Sequence, residues 1–304
     1  MTFDGQSAAR SSSDYDLRSL QHERRMLSEY RRGAVQDAAL LQPLANACWR
    51  AAAFEWQLYA DADTVRRLWG EAAHALAQGF TRRRPGFDPS PDQFTLALHF
   101  AIAAREREVF TSLALTDPEA RGRVLREARA FRGSRAHLHL AEGYAQVARA
   151  LVERAAAPAR AAVELLAAAL AESDHGWWHQ QFPTALDAAW RISEHEALCV
   201  LLGAVARRLA QAYADEPEDV RGWNDEAAAQ FERVVDETLL RLEQFIEHDP
   251  NHHPKLYLWL PGLALCALAA SAGLPMDWLS ARHEEDTGTS YARLPLALLR
   301  NPAS

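Results

Sequence analysis

The sequence predicts an all-α protein: an irregular antiparallel helical bundle or helical-repeat-like array, in a single domain. Three observations predict it. Apolar residues recur three and four apart in several separate segments, the repeat of one helix face. Several segments open on a short polar residue followed by proline and an acid, as helix starts do. Sustained period-two runs of β-branched residues are missing, as are Asn-Gly or Asp-Gly turns between such runs.

In chain order, residues 1–15 read as a flexible lead-in, with Ser11, Ser12 and Ser13 ahead of the first periodic stretch. Residues 16–304 then form the helical domain. Over 63–80, Val65, Leu68, Trp69, Ala72, Leu76 and Phe80 fall on one face. Asp63 is the expected cap, since its carboxylate can accept from a free first-turn N–H. Arg82, Arg83 and Arg84 suit the negative end of the helix dipole, and Pro85-Gly86 breaks the helix. Ser90-Pro91-Asp92 opens the next helix, and Thr116-Asp117-Pro118-Glu119 repeats the pattern before Val124 and Phe131.

The alanine-rich run 155–171 permits close helix approach. Over 224–248, Phe231, Val235, Leu239, Leu242 and Phe245 face one side, and Glu232, Arg233, Asp236 and Glu243 lie largely on the other. Short links favour antiparallel neighbours. No fixed 34-residue period survives, so the array is irregular. Pro250 and Pro254, with the histidines between them, make 249–254 the best candidate for an internal joint. The apolar run 256–273 is slightly short for a membrane span and is interrupted by Pro261. It is expected to be a core helix burying Leu258, Leu265 and Leu268. Trp49, Trp56 and Trp69 sit in periodic helices and read as core.

Composition bounds the function. Cys48, Cys199 and Cys266 are odd in number and far apart, which predicts buried thiols in a reducing compartment. The N-terminus lacks an apolar signal core, so a cytoplasmic protein is expected, with no membrane association. Against 33 basic residues stand 41 acidic ones, a net charge of -8, which disfavours direct nucleic-acid binding. There is no Gly-x-Ser-x-Gly, no Gly-x-Gly-x-x-Gly and no Gly-x-x-x-x-Gly-Lys, so neither an elbow serine nor a cofactor loop is indicated.

The histidines were the remaining place for chemistry. His175 and His179 are four apart, but Gly176 and Pro183 predict a loop and a tryptophan-rich packing corner rather than a metal site. His248, His252 and His253 belong to a turn, where histidine density is only a compositional hint of metal. His137 and His139 point to different sides of a helix and read as independent, surface or half-buried residues. The triplet Glu194-His195-Glu196 reads as a water-facing charged stretch. No catalytic, cofactor or metal residue is predicted.

The C-terminal text is the most distinctive. It runs Tyr257-Leu258, then Leu260-Pro261-Gly262-Leu263-Ala264-Leu265-Cys266-Ala267-Leu268-Ala269, then Gly273-Leu274-Pro275, and later Tyr291-Ala292-Arg293-Leu294-Pro295-Leu296-Ala297-Leu298-Leu299. With Leu68-Trp69-Gly70-Glu71-Ala72-Ala73 and Phe94-Thr95-Leu96-Ala97-Leu98 earlier, the chain resembles the immunity protein 49 family of bacterial polymorphic toxin systems. The pattern covers about two thirds of the chain and departs from the family at 284–289. The resemblance implies an antitoxin-like protein that binds the toxin domain made beside it, with no catalytic residues to carry over.

Two acidic segments are the expected toxin contacts. One holds Asp215, Glu216, Glu218 and Asp219; the other holds Glu284, Glu285 and Asp286. Both carry turn residues and should be exposed, facing a basic groove such as that of a nuclease. Two other readings stay open: a helical scaffold with no toxin partner, and a helical metal protein or enzyme using the His175/His179 or His248/His252 region.

Overall fold

Alanine and short caps set the architecture. In the computed structural model the described residues are 5–82, 86–117, 119, 121–122, 125, 135–182, 184–214, 221–248, 254–285 and 290–299. Among them every regular element is a helix, and there is no strand. The first five are α1 (Gly5–Ala34), α2 (Leu41–Tyr59), α3 (Ala62–Arg82), α4 (Pro91–Ala104) and α5 (Arg107–Ala114). Then come α6 (Arg135–Glu153), α7 (Ala156–Ala171), α8 (His175–Gln181), α9 (Ala185–Ala212) and α10 (Arg221–His248). The last are α11 (Leu260–Ser271), α12 (Asp277–Glu285) and α13 (Leu296–Leu299). The segment expected to be a flexible lead-in is helical from Gly5 onward, as the start of α1.

Neighbours in sequence are mostly neighbours in space. α1 packs on α2, α2 on α3, α3 on α4, α4 on α6, α6 on α7, α7 on α9 and α9 on α10. Only Ala60 and Asp61 separate α2 from α3, and only Arg154 and Ala155 separate α6 from α7. Such links leave room only for antiparallel pairs. The close approach comes from small side chains. Ala47, Cys48, Ala51 and Ala52 of α2 are fully buried, and so are Ala72 and Ala73 of α3. On α6, a methyl group added at Gly143 would lie 2.8 Å from Leu166 Cγ of α7. Helix α1 is more polar and is fastened by ion pairs: Arg24 to Glu55 at 2.6 Å, Arg50 to Glu23 at 2.7 Å, and Arg31 to Glu71 at 2.6 Å.

The caps follow the predicted grammar, with one correction. Ser90 accepts from Gln93 N, and Gln93 Oε1 accepts from Ser90 N, a reciprocal box with Pro91 in the first turn. Asp117 accepts from Glu119 N, as expected; Pro118, Val124 and Phe131 lie outside the described residues. At α3 the cap is Asp61, not Asp63. Asp61 Oδ1 accepts from Asp63 N and Thr64 N, and Asp63 instead pairs with Arg66. Asp61 sits just ahead of the first turn, where the free N–H groups point at its carboxylate.

The C-terminal third folds back over the first half. α11 lies on α4 and α9, α13 touches α3 and α11, and the 3₁₀ turn Pro254–Tyr257 rests on α2. Trp259 N donates to Arg293 O at 3.0 Å, Arg105 Nη2 to Leu299 O at 2.9 Å, and Arg66 to Ala297 O. Tyr291 donates to Asp236 of α10. Residues 249–253 of the candidate joint lie outside the described residues.

α11 is buried nearly all round, as its sequence predicted. Leu265 and Leu268 are at most 2% exposed, and so is Leu258, which was expected within the helix but lies just ahead of its first residue, Leu260. No helix among the described residues is long and apolar enough to cross a membrane. Leu265→Ala should destabilise the protein by about 2–5 kcal/mol in urea unfolding, from lost transfer energy plus a cavity. A loss under about 0.5 kcal/mol, the scale of surface substitutions, would mean that α11 is not core.

Candidate functional site

The lining of two hollows fixes the sense of three helices. Asp92, Thr95, Leu96 and His99 of α4, His137 and Leu140 of α6, and Pro261 of α11 border one cavity of about 350 Å³. The opposite ends of the same helices, at Ala101 and Ile102, Leu151 and Val152, and Ala267 and Leu268, border a second hollow. α4, α6 and α11 therefore run in the same sense, first halves at the cavity. The remaining cavity wall comes from Trp49 of α2, Trp178 of α8, Phe182, and Arg191, Glu194, His195 and Leu198 of α9.

α8 is held over this cavity by its caps. Asp174 Oδ1 accepts from Trp177 N at 3.1 Å, and Thr184 caps α9 by accepting from Asp187 N at 3.0 Å. The segment 175–181, expected as a loop, is a short helix because the Asp174 cap outweighs the single Gly176. The tryptophan corner is there as expected. Trp178 is buried and stacks on Phe182, with ring centres 5.6 Å apart and planes 17° apart. The Arg191 guanidinium lies 5.9 Å from the Phe182 ring centre and donates to Glu194 at 3.0 Å.

Three histidines stand behind this aromatic wall. His137, expected at most half-buried, is 6% exposed, with ring centres 4.6 Å from Trp178 and 5.2 Å from His195. His195, expected to face water, is buried instead. It lies on the stripe Ile192, His195, Cys199 and Leu202, which the helix turns inward. His99 is buried against Tyr144, and its Nε2 has no hydrogen-bond partner among the described residues. Sequence reasoning missed His99. Its signal was a lone titratable residue inside the apolar run from Phe94 to Phe100.

Burial decides the protonation of these groups. It pushes the His99 imidazole down to about 3. His195 falls to about 4, by burial and by its His137 neighbour, against a weak backbone contact to Ala169 O. His137 is also lowered by burial, with Asp92 pulling the other way. All three imidazoles are neutral near neutral pH. Cys199 Sγ lies 3.7 Å from His195 Nε2, but burial raises the thiol to about 12, so the pair stays un-ionised and the sulfur is no nucleophile.

The other expected positions do not converge here. His175 is exposed and pairs with Glu196 at 3.0 Å, while His179 is exposed on the same short helix. His139 pairs with Glu172 at 3.5 Å, away from His137. His248 ends α10 and bonds its own helix at Gln244 O, and His252 and His253 lie outside the described residues. Among the described residues no three His, Cys, Asp or Glu side chains gather as metal ligands. Glu284 and Glu285, expected in a loop, are the last two residues of α12, because the helix continues past Arg282 and His283. Asp286, Asp215, Glu216, Glu218 and Asp219 lie outside the described residues. The three cysteines are buried and free, as their spacing predicted.

The cavity lining mixes three kinds of group. Trp49, Trp178 and Phe182 give large apolar area, the imidazoles give neutral hydrogen-bonding groups, and Arg191, Glu194 and Asp92 give charges of both signs. General acid–base work is best served by a pKa near the working pH, and imidazoles near 3 and 4 are far from it. In comparisons with known proteins the chain matches no family model, no curated protein and no solved structure.

Proposed function

We propose that this chain is an immunity-type binding protein that captures a toxin domain and blocks it by occlusion. The observation carrying the binding reading is the cavity beneath α8: aromatic walls, neutral imidazoles and a charged mouth, with an un-ionised thiol behind. Aromatic and arginine side chains around a desolvated pocket are what the energetic centre of an interface is made of. The choice of a toxin as partner rests on the resemblance carried by 257–275 and 291–299. In the fold these pieces pack together, with Trp259 joined to Arg293 and Leu263, Leu265, Leu294 and Leu298 buried. The acidic stretches Asp215–Asp219 and Glu284–Asp286 stay further candidate contacts by composition alone, which suits a basic groove.

The test is co-expression with the toxin-like protein encoded beside this chain, then titration of the purified pair. The expected result is a stable complex that silences the toxin. Phe182→Ala combined with Arg191→Glu should weaken it by at least about thirtyfold, the ~2 kcal/mol of an interface anchor. Both side chains are at least partly exposed, so the variant's melting temperature should stay close to wild type. A complex of unchanged affinity would remove the cavity from the contact. If no neighbour-encoded protein binds, the immunity role itself is overturned.

A further inference from the structure

The second hollow, at the far ends of α4, α6 and α11, is chemically different from the first. It encloses about 780 Å³, within the range of small-molecule sites. Its floor is apolar: Ile102, Phe110, Leu151 and Val152 pack one side on the core and leave the other open. Its rim carries Arg105, Arg107 and Arg154, and among the described residues no carboxylate lines it. On a chain with net charge -8 this is a local excess of positive charge. Arg105 is tied to Leu299 O, and burial together with nearby Arg66 lowers its pKa. The Arg107 and Arg154 side chains make no hydrogen bond or ion pair with any described residue.

A simpler purpose for these cations is to offset helix ends. α4 and α6 both finish here, with Arg105 and Arg154 in left-handed conformation just past them. Cations are favoured at helix C-termini. That accounts for two of the three. It does not account for Arg107, the first residue of α5, where the helix dipole disfavours a cation. Nor does it account for an apolar floor that no described residue covers between guanidinium groups.

We propose that this groove binds an amphipathic anion of the single-chain fatty-acid type, with its chain along Ile102, Phe110, Leu151 and Val152. The carboxylate sits between Arg107 and Arg154. Guanidinium groups bind carboxylates through paired N–H donors, and the apolar floor takes the chain out of water. This site is separate from the cavity beneath α8 and does not depend on the toxin proposal.

The experiment is calorimetric titration of the full chain with laurate below its micellar concentration. Two comparison probes are dodecyltrimethylammonium, with the same chain and the opposite head charge, and acetate, with the head alone. One laurate per protein is expected. The cationic surfactant should bind at least tenfold more weakly, and acetate not measurably. Arg107→Gln with Arg154→Gln, both exposed positions, should weaken laurate at least tenfold at an unchanged melting temperature. Absence of laurate binding would overturn the proposal. So would equal affinity for the two surfactants, uptake of several laurates per chain, or wild-type affinity in the folded double variant.

Discussion

Mild acid should loosen this protein before its carboxylates titrate. His99 and His195 are neutral and buried, lowered from an ordinary 6.5 to about 3 and about 4. The unfolded chain takes up these protons near pH 6.5, whereas the folded chain does not until far lower. In the window between, the unfolded state holds more protons, so stability rises with pH. The contribution is complete above about pH 7 and is lost as pH falls through 6.5 toward the folded values. At pH 5.5 the two histidines together cost on the order of 3 kcal/mol, with His137 acting in the same direction. Asp92, Glu194, Arg191, Tyr144 and the Cys199 thiol are ionisable groups that face them. Melting temperature measured from pH 7.5 to 5.5 should fall steadily, and the double variant His99→Leu/His195→Leu should flatten the slope. A wild-type melting temperature constant across that range would show that these imidazoles are hydrated.

A second large loss is expected at Arg121. Its side chain is 2% exposed, and its guanidinium meets Glu142 of α6 at 2.7 Å. It also donates to Thr116 O at 3.0 Å and lies 5.3 Å from the Phe94 ring centre on α4. Arg121 thus joins the stretch after α5 to two helices at once. Arg121→Met keeps the packing volume but strands Glu142, which is itself only 15% exposed. Breaking such a pair from one side costs about 3–5 kcal/mol, and the partial exposure of Glu142 places this case near the lower figure. Arg121→Met/Glu142→Gln should recover part of that loss, because the stranded charge is gone. If urea unfolding gave the single and double variants the same stability, the stranded Glu142 carboxylate would carry no penalty.

The helices were legible because their signals are local. The stripe from Phe231 to Phe245 is wholly buried, and the Ser90-Pro91 start is capped as its residues require. Asp63 and Asp61 were harder to separate, since both are short acids near a helix start and only the backbone path decides which meets the free N–H groups. The cavity was less legible. His99, His137 and His195 belong to three helices separated by dozens of residues, and no spacing rule joins them. Their burial follows from tertiary packing, which placed His195 inward although glutamates flank it on both sides.

The fold-back of the C-terminal third sets the order in which this chain can finish folding. Tyr257 meets Asp16 across 241 positions, and Arg66 holds Ala297 across 231. Closing such distant contacts is the slow step of a folding reaction. During synthesis, the face of α4 that α11 covers lacks that cover until α11 itself has left the ribosome. The helical pairs α2–α3 and α6–α7 can form as they emerge, but the core they share waits for α11. A nascent chain stalled before residue 260 should therefore be protease-sensitive and chaperone-bound, and release of the remaining residues should convert it to the resistant form.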